Sequence, residues 1–239
     1  MNVDLYTNPQ EVSDGSLASR TVVVIDALRA STTLVTALAN GCREIVPVDT
    51  VERAMATRKR IGPQGVLLCG ERGGLKIQGF DLGNSPREYL PEVVAGKTLV
   101  FTSTNGSRAM VFVRGCHLGL IGAFINAGAT ARRILSDSAE VAIVCSGREN
   151  LLSIEDMTCG GLIVSRLLEL RPEAVLNDAA RTAHILYEHY AHDLLGLLKT
   201  SDHGRHLVEI GFGDDLPFCA LIDTTHVVPV IRDSKVVKE

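Results

Sequence analysis

The chain has no excess of positive charge. Its 239 residues include 24 Lys and Arg against 28 Asp and Glu, which gives a formal net charge of −4. Proteins that bind nucleic acids or anionic membranes by general electrostatics usually display a net basic surface. We therefore expect neither a nucleic acid nor a membrane as a partner, and any site for an anion has to be local.

Signals for export, a membrane span and a cysteine-based site are also lacking. The first ten residues contain no basic segment followed by an apolar core, and charges at Asp26 and Arg29 interrupt the most apolar stretch, residues 22–39. A signal peptide or a spanning helix needs an unbroken apolar run. The six cysteines form no CxxC pair, so buried thiols are expected rather than disulfides or zinc. We expect a soluble cytoplasmic protein.

Apolar runs rich in β-branched residues alternate with helix-like segments in the first two-thirds of the chain. The runs are TVVVID, EIVPV, VLLCG, TLVFT, HLGLIG and EVAIVCSG, and the segments between them include STTLVTALANG, TVERAMATRKRIG, NGSRAMVFV and NAGATARRILSD. This alternation predicts an α/β fold, a three-layer α/β/α arrangement with a mostly parallel or mixed central sheet and a helix-rich C-terminal third. Without a linker, low-complexity tract or repeat, residues 1–239 are predicted to form a single domain, and a homo-oligomer is left open.

Polar residues gather where the predicted strands end. The polar segments are residues 26–33 (DALRASTT), 70–74 (GERGG), 102–108 (TSTNGSR), 146–147 and 153–156 (SIED). In open α/β sheets, ligands bind beyond the carboxyl ends of the strands, where helix N-termini offer free N–H groups. Each segment alone could simply cap a helix, but their joint placement predicts an anion site at one edge of the sheet.

The first of these segments offers several groups suited to a phosphate. Asp26 can bind a metal ion, Arg29 can fork onto phosphate oxygens, and Ser31 and Thr32 offer hydroxyls. An ion pair between Asp26 and Arg29 beside a capped helix is the alternative interpretation.

Three further segments supply carboxylates and donors. Glu71 and Arg72, flanked by glycines, are predicted to serve Mg²⁺ and the substrate anion respectively, although both could be loop charges. Asn105 and Arg108 lie in a hydroxyl-rich run that can cradle an oxyanion. Asp156 is a predicted metal ligand, while the S-x-x-D pattern around it is also typical of a helix start.

Residues 201–207 (SDHGRHL) add a titratable group and a cation. His203 can donate a proton to a departing alkoxide near neutral pH, and Arg205 can bind an anionic group. A solvated surface helix is the other interpretation of this segment.

The order of these motifs resembles a known family. The motifs VVVIDALRASTT, GERGG, GFDLGNSP, TSTNGSRAM, SIEDMTCGG, HGRHL and GFGDDLPFCALID are similar, over nearly the whole chain, to the 2-phosphosulfolactate phosphatase family of coenzyme M biosynthesis. The resemblance implies a Mg²⁺-dependent hydrolase that converts (2R)-2-phospho-3-sulfolactate to 3-sulfolactate and phosphate. It does not assign a role to each residue, and another phosphorylated hydroxy acid stays open as the substrate.

The residue types suit this chemistry. Phosphoryl transfer depends mainly on positioning and on charge neutralisation by Mg²⁺ and cationic donors. A substrate with phosphate, carboxylate and sulfonate groups would explain several arginines in an acidic protein, and we expect these groups to be divided among Arg29, Arg72, Arg108 and Arg205. Attack by water and attack by Asp26 through an aspartyl-phosphate both stay open.

Two other functions fit parts of the pattern. A haloacid-dehalogenase-like phosphatase would carry a second Asp two residues after Asp26, where this chain has Leu28. A non-catalytic anion sensor would need the cations but no metal site. Nucleotide binding is disfavoured because neither G-x-x-x-x-G-K-[ST] nor G-x-G-x-x-G occurs.

Overall fold

A sheet of eleven strands organises the residues that the computed structural model describes, 1–13, 15–113, 115–137 and 140–239. The strands are β1 (Asn2–Tyr6), β2 (Thr21–Ile25), β3 (Glu44–Pro47), β4 (Val66–Arg72), β5 (Leu75–Lys76), β6 (Thr98–Thr102), β7 (Leu118–Gly122), β8 (Glu140–Cys145), β9 (Val175–Leu176), β10 (Pro229–Arg232) and β11 (Lys235–Lys238). All six apolar runs that were predicted to be strands are among them. The predicted α/β class is confirmed.

Ten α-helices accompany the sheet in the same described ranges. They are α1 (Ala30–Ala39), α2 (Val51–Ile61), α3 (Pro91–Val94), α4 (Gly106–Phe112), α5 (Ala127–Leu135), α6 (Ile154–Leu170), α7 (Asp178–Tyr190), α8 (Leu194–Thr200), α9 (Asp202–Glu209) and α10 (Asp215–Cys219). Short 3₁₀ helices cover Pro9–Glu11, Pro86–Glu88 and Phe124–Asn126. No helix among the described residues combines the length and apolar character needed to cross a membrane.

The sheet consists of two parallel groups joined by an antiparallel hairpin. Its order is β5-β4-β6-β3-β11-β10-β7-β2-β8-β1-β9. Within one group β3, β6 and β4 are parallel, and within the other β7, β2, β8, β1 and β9 are parallel. Because β10 and β11 pair antiparallel with each other and with β7 and β3, the two groups run in opposite directions along the sheet.

Sheet twist offsets much of this reversal. Neighbouring strands rotate by about 20–25°, so the five steps from β2 to β6 turn the strand direction by about 100–125°. The carboxyl ends of β2, β4 and β6 therefore face a common space even though the sheet is mixed. The polar segments converge as expected, but through twist rather than through a uniformly parallel sheet.

Helix α1 lies in the hollow of the twisted sheet. Its sequence, ASTTLVTALA, is apolar or small on every side, and nine of its ten residues are buried. The core around it contains side chains from both parallel groups, such as Val22 and Val24 of β2 and Leu99 and Phe101 of β6. The other face of β2 packs Val23 and Ile25 in a core with α5, α6 and α7. Helix α1 begins directly after β2, so this packing fixes the position of Asp26.

Specific residues end or cap helices α1, α6 and α2. Gly41, with a φ of 87°, ends α1, and Ser153 caps α6 by accepting from the Asp156 N–H. Thr50 caps α2 and accepts from the Arg53 N–H at 3.1 Å. All six cysteines are free, and all except Cys116 are buried, as expected.

Candidate functional site

A small polar cleft lies where the ends of β2, β4 and β6 meet. Its volume is about 200 Å³, and its walls are formed by Asp26, Leu28, Arg29, Glu71, Gly73, Gly74, Asn84, Thr104, Asn105, Arg148, Glu149, His203 and His206. A wider pocket of about 460 Å³ adjoins it, between residues 148–155 and the segment 197–203. Arg148, Glu149 and His203 line both spaces, so they form the boundary between them.

Asp26 is held at the inner end of the cleft by the start of α1. Its backbone N–H donates to Ser31 Oγ at 2.9 Å, and the Ala30 N–H donates to Asp26 Oδ1 at 3.3 Å. Oδ2 makes no hydrogen bond to the described residues. A Cβ at Gly106 would lie 2.5 Å from this oxygen, so only glycine lets the first turn of α4 come so close. The arrangement leaves one carboxylate oxygen of Asp26 available to a ligand.

Negative charge is concentrated around Asp26. Burial raises the pKa of Asp26 to about 6, and Glu71 and Glu155 add to the increase, while His203 and the Ala30 N–H oppose it. Burial, Asp26 and Glu155 also raise the pKa of Asp156 well above its ordinary value. Two buried carboxyls in mutual repulsion are costly unless a cation neutralises them. The charge distribution therefore favours a positively charged ligand near Asp26.

Glu71 is a second carboxylate in the cleft wall, and its oxygens accept backbone hydrogen bonds. Oε2 accepts from the Gly74 N–H and Oε1 from the Thr104 N–H, each at 2.7 Å. Gly73 and Gly74 have φ values of 58° and 83°, which let the chain turn back over the carboxylate. Glu71 thus ties the end of β4 to the loop after β6.

Asp156 lies beside Asp26 but does not line the cleft. Its Oδ1 accepts from the Ala27 N–H at 2.8 Å, and its Oδ2 accepts from Ser146 Oγ at 3.1 Å and from the Gly147 N–H at 3.2 Å. The predicted role of Asp156 as a metal ligand finds no support in this geometry, because its two oxygens already hold together the ends of β2 and β8.

The remaining predicted metal ligands fit Mg²⁺ in part. Among the described residues, no three His, Cys, Asp or Glu side chains form a group that could hold a metal ion. Magnesium, however, is usually bound by one or two carboxylates together with waters and substrate phosphate oxygens. Asp26 and Glu71 both line the cleft and match that donor set. Asp26 offers a free oxygen, and each oxygen of Glu71 has a second lone pair beside the one that accepts a backbone hydrogen bond.

Arg29 lines the cleft, but its charge is already paired. It is 1% exposed, donates through Nη1 to Asp215 Oδ2 and through Nη2 to the Gly74 carbonyl, both at 2.7 Å, and stacks over the Phe212 ring. Ser85 donates to the other oxygen of Asp215 at 2.6 Å. Arg29 is thus ion-paired with Asp215 and not with Asp26, the partner given in the alternative interpretation.

The other predicted arginines have partners or positions outside the cleft. Arg72 donates to the Glu71 carbonyl at 2.7 Å and to Thr102 Oγ1 at 3.0 Å. Arg108 is exposed on α4. Arg205 pairs with Asp202 on the exposed side of α9. None of these three lines the cleft, so the expected division of the substrate's anionic groups among four arginines does not match the structure.

The predicted hydroxyl and amide ligands are divided between the core and the cleft. Ser31 and Thr32 are fully buried, and Thr32 Oγ1 donates to the Ala27 carbonyl at 3.0 Å. Asn105 lines the cleft and, although it precedes α4, makes no capping hydrogen bond with its side chain. Of this group only Asn105 is placed where it can meet a ligand.

Two histidines of α9 line the cleft. His203 Nδ1 lies 3.6 Å from Glu155 Oε1, and the His203 ring lines the cleft. His206 was not singled out in the sequence, although it follows His203 by three residues on the same helix face; its Nε2 lies 3.1 Å from the Gly73 carbonyl oxygen. The predicted proton donor His203 is thus brought together with Asp26.

The turn after β8 was missed by sequence reasoning. Ser146 and Gly147 mark the end of the strand, but Arg148 and Glu149, which follow them, are the residues that line the cleft. Their only sequence signal is their position directly after a predicted strand end.

Comparisons with known proteins return one family description. The family model described as 2-phosphosulpholactate phosphatase matches residues 6–234. A probable 2-phosphosulfolactate phosphatase from Caldanaerobacter subterraneus subsp. tengcongensis is 38% identical over 233 residues, covering 98% of this chain and 96% of that protein. Proteins of the same description from Caldicellulosiruptor saccharolyticus and Clostridium novyi are 38% and 39% identical, with complete coverage of both chains.

Proposed function

Because the chain belongs to the 2-phosphosulpholactate phosphatase family, we propose that it hydrolyses (2R)-2-phospho-3-sulfolactate to 3-sulfolactate and phosphate with the help of Mg²⁺. The family places it among phosphoric monoester hydrolases. The observation that carries the proposal is Asp26, a buried carboxylate with one free oxygen at the base of a small polar cleft. The cleft suits a compact, highly charged ester.

The proposed reaction needs a new bond from oxygen to phosphorus and the loss of the bond to the lactate oxygen. Asp26 either activates the attacking water by accepting its proton or attacks phosphorus itself, after which water releases the phosphate. Mg²⁺ held by Asp26 and Glu71 would neutralise phosphate charge. Burial at the start of α1 holds the Asp26 carboxylate in one orientation for either role.

His203 is proposed to protonate the leaving alkoxide. Its Nδ1 is next to Glu155, which leaves Nε2 for the substrate side. A nearby carboxylate orients an imidazole so that its other ring nitrogen can face the substrate. Glu155 is 3% exposed, so this pairing is shielded from water.

A phosphate-release assay on a panel of phosphorylated hydroxy acids, with and without Mg²⁺, tests the proposal. We expect turnover of 2-phosphosulfolactate that needs Mg²⁺ and disappears in Asp26→Asn. An exposed aspartate provides the matched control, and Asp233→Asn is expected to retain full activity. Turnover of another ester with an inert 2-phosphosulfolactate would refute the substrate, and specific binding without any turnover would indicate an anion sensor.

The identity of the nucleophile is open to a separate test. A single turnover of an ester made chiral at phosphorus with oxygen isotopes reports the stereochemical course. Net retention indicates two displacements through an aspartyl-phosphate, whereas net inversion indicates direct attack by water.

A further inference from the structure

We infer that Arg148 binds the sulfonate of the substrate and makes the enzyme prefer sulfonated phosphate esters. This inference rests on the proposed function. It concerns one residue at the boundary between the catalytic cleft and the wider pocket. The argument depends on which positive charges near Asp26 are free to meet a ligand.

Four basic side chains line the cleft, and three of them are engaged within the protein. Arg29 is paired with Asp215, His203 lies beside Glu155, and His206 lies against a backbone carbonyl. Arg148 is half-buried, yet its guanidinium makes no hydrogen bond or ion pair with the described residues. An arginine offers five donors in a rigid fork that matches a planar or tetrahedral oxyanion. Arg148 is therefore the side chain left to bind a second anionic group.

The backbone that carries Arg148 is fixed by a tight turn. The Arg148 N–H donates to the Leu151 carbonyl at 2.9 Å, and the Leu151 N–H donates back at 2.8 Å. Glu149 and Asn150 between them have φ values of 53° and 65°, the pattern of a type I′ turn. The Gly147 N–H donates to Asp156, so the turn is tied to the carboxylates beneath Asp26. The backbone of Arg148 therefore has a fixed position relative to Asp26, the proposed reacting centre.

The sulfonate is the group best placed to reach this boundary. In the substrate the carboxylate is attached to the carbon that bears the phosphate, while the sulfonate is one carbon further away. With the phosphate at Asp26, the sulfonate extends further from the reacting centre than the carboxylate does, and in this proposal it reaches the wall that Arg148 forms with the wider pocket.

Steady-state kinetics with two esters test the assignment. 2-Phosphosulfolactate and 2-phospholactate differ only by the sulfonate. Because a hydrogen bond between charged groups contributes strongly to binding, Arg148→Ala should lower kcat/KM for the sulfonated ester by about 10- to 100-fold. The same variant should lower kcat/KM for 2-phospholactate by less than about 3-fold. Arg148→Lys, which keeps the charge but loses the fork, should fall between wild type and Arg148→Ala. Competitive inhibition by 3-sulfolactate should weaken in parallel.

The control is Arg60→Ala, which removes an exposed arginine at the end of α2. It should leave both esters unchanged. An equal loss on both esters, or an unchanged preference in Arg148→Ala, overturns the assignment while the proposed function stands. A wild-type protein that releases phosphate from neither ester refutes the proposed function, and the role of Arg148 with it.

Discussion

Replacing Asp26 by Asn is expected to stabilise the folded protein at neutral pH. The change keeps the shape of the side chain, and the amide oxygen can still accept from the Ala30 N–H. It removes a negative charge that is buried and lies near the Glu71 and Glu155 carboxylates. A buried charge that is needed for catalysis lowers the stability of the fold. Its removal should therefore raise the free energy of unfolding and abolish activity.

The shift in the Asp26 pKa sets the size and the pH range of this effect. Burial and neighbouring carboxylates raise the pKa from 3.8 to about 6. Because the folded pKa is the higher one, the Asp26 charge leaves the stability of wild type almost unchanged below about pH 4 and lowers it by the full amount only above about pH 7. A shift of about two units corresponds to at most about 3 kcal/mol. For a domain of this size that is a rise in Tm of about 6–12 °C.

Urea unfolding in metal-free buffer across this pH range measures the effect. The free energy of unfolding of Asp26→Asn should exceed that of wild type by a margin that grows from about zero near pH 4 to its full value above about pH 7. Asp233→Asn, at an exposed turn position with a φ of 50°, should change little at any pH. A variant less stable than wild type at neutral pH, or a margin that is the same at acidic pH, would refute the reasoning. Mg²⁺ should narrow the margin by stabilising wild type.

Two further predictions concern the framework of the site. Asp215→Asn should lower the free energy of unfolding by about 3–5 kcal/mol, because the buried Arg29 would lose its partner. In a double-mutant cycle with Arg29→Met, the double variant should lose less stability than the sum of the two single losses. Additive losses would contradict this pairing. Gly70→Ala should give little folded protein, because a Cβ there would lie 1.8 Å from the Thr102 carbonyl oxygen, whereas Gly62→Ala, with no atom within 4 Å, should cost only about 1 kcal/mol in urea unfolding. Equal stability of the two glycine variants would contradict the steric argument.

The local sequence was sufficient to predict most of the elements but not their arrangement. Apolar runs predicted six strands correctly, since a buried strand needs a continuous apolar run. Strands β1 and β11 were missed because Asn2–Tyr6 alternates apolar with polar residues and Lys235–Lys238 contains only two apolar residues. The place of the β10–β11 hairpin between β7 and β3 depends on pairings between residues more than a hundred positions apart, which no local pattern encodes.

For the site, the sequence placed several side chains at the cleft but did not predict their partners. Asp26, Glu71, Asn105 and His203 line the cleft because strand ends and helix starts place them there. The ion pairing of Arg29, by contrast, depends on Asp215, which is 186 positions away in the sequence. A cation with a buried partner and a cation free for a ligand look identical in sequence.

The central hairpin also bears on how this chain reaches its fold during synthesis. Residues 1–228 contain both parallel groups of strands, yet the hydrogen bonds that connect them run through β10 and β11. Until residues 229–238 leave the ribosome, β3 and β7 each present an unpaired edge, the kind of surface at which strands from other chains can add. Such long-range pairing is slow to form. Strands β10 and β11 complete a sheet whose earlier strands carry the cleft residues, so the cleft and protection from aggregation should appear together, only after residues 229–238 have been made.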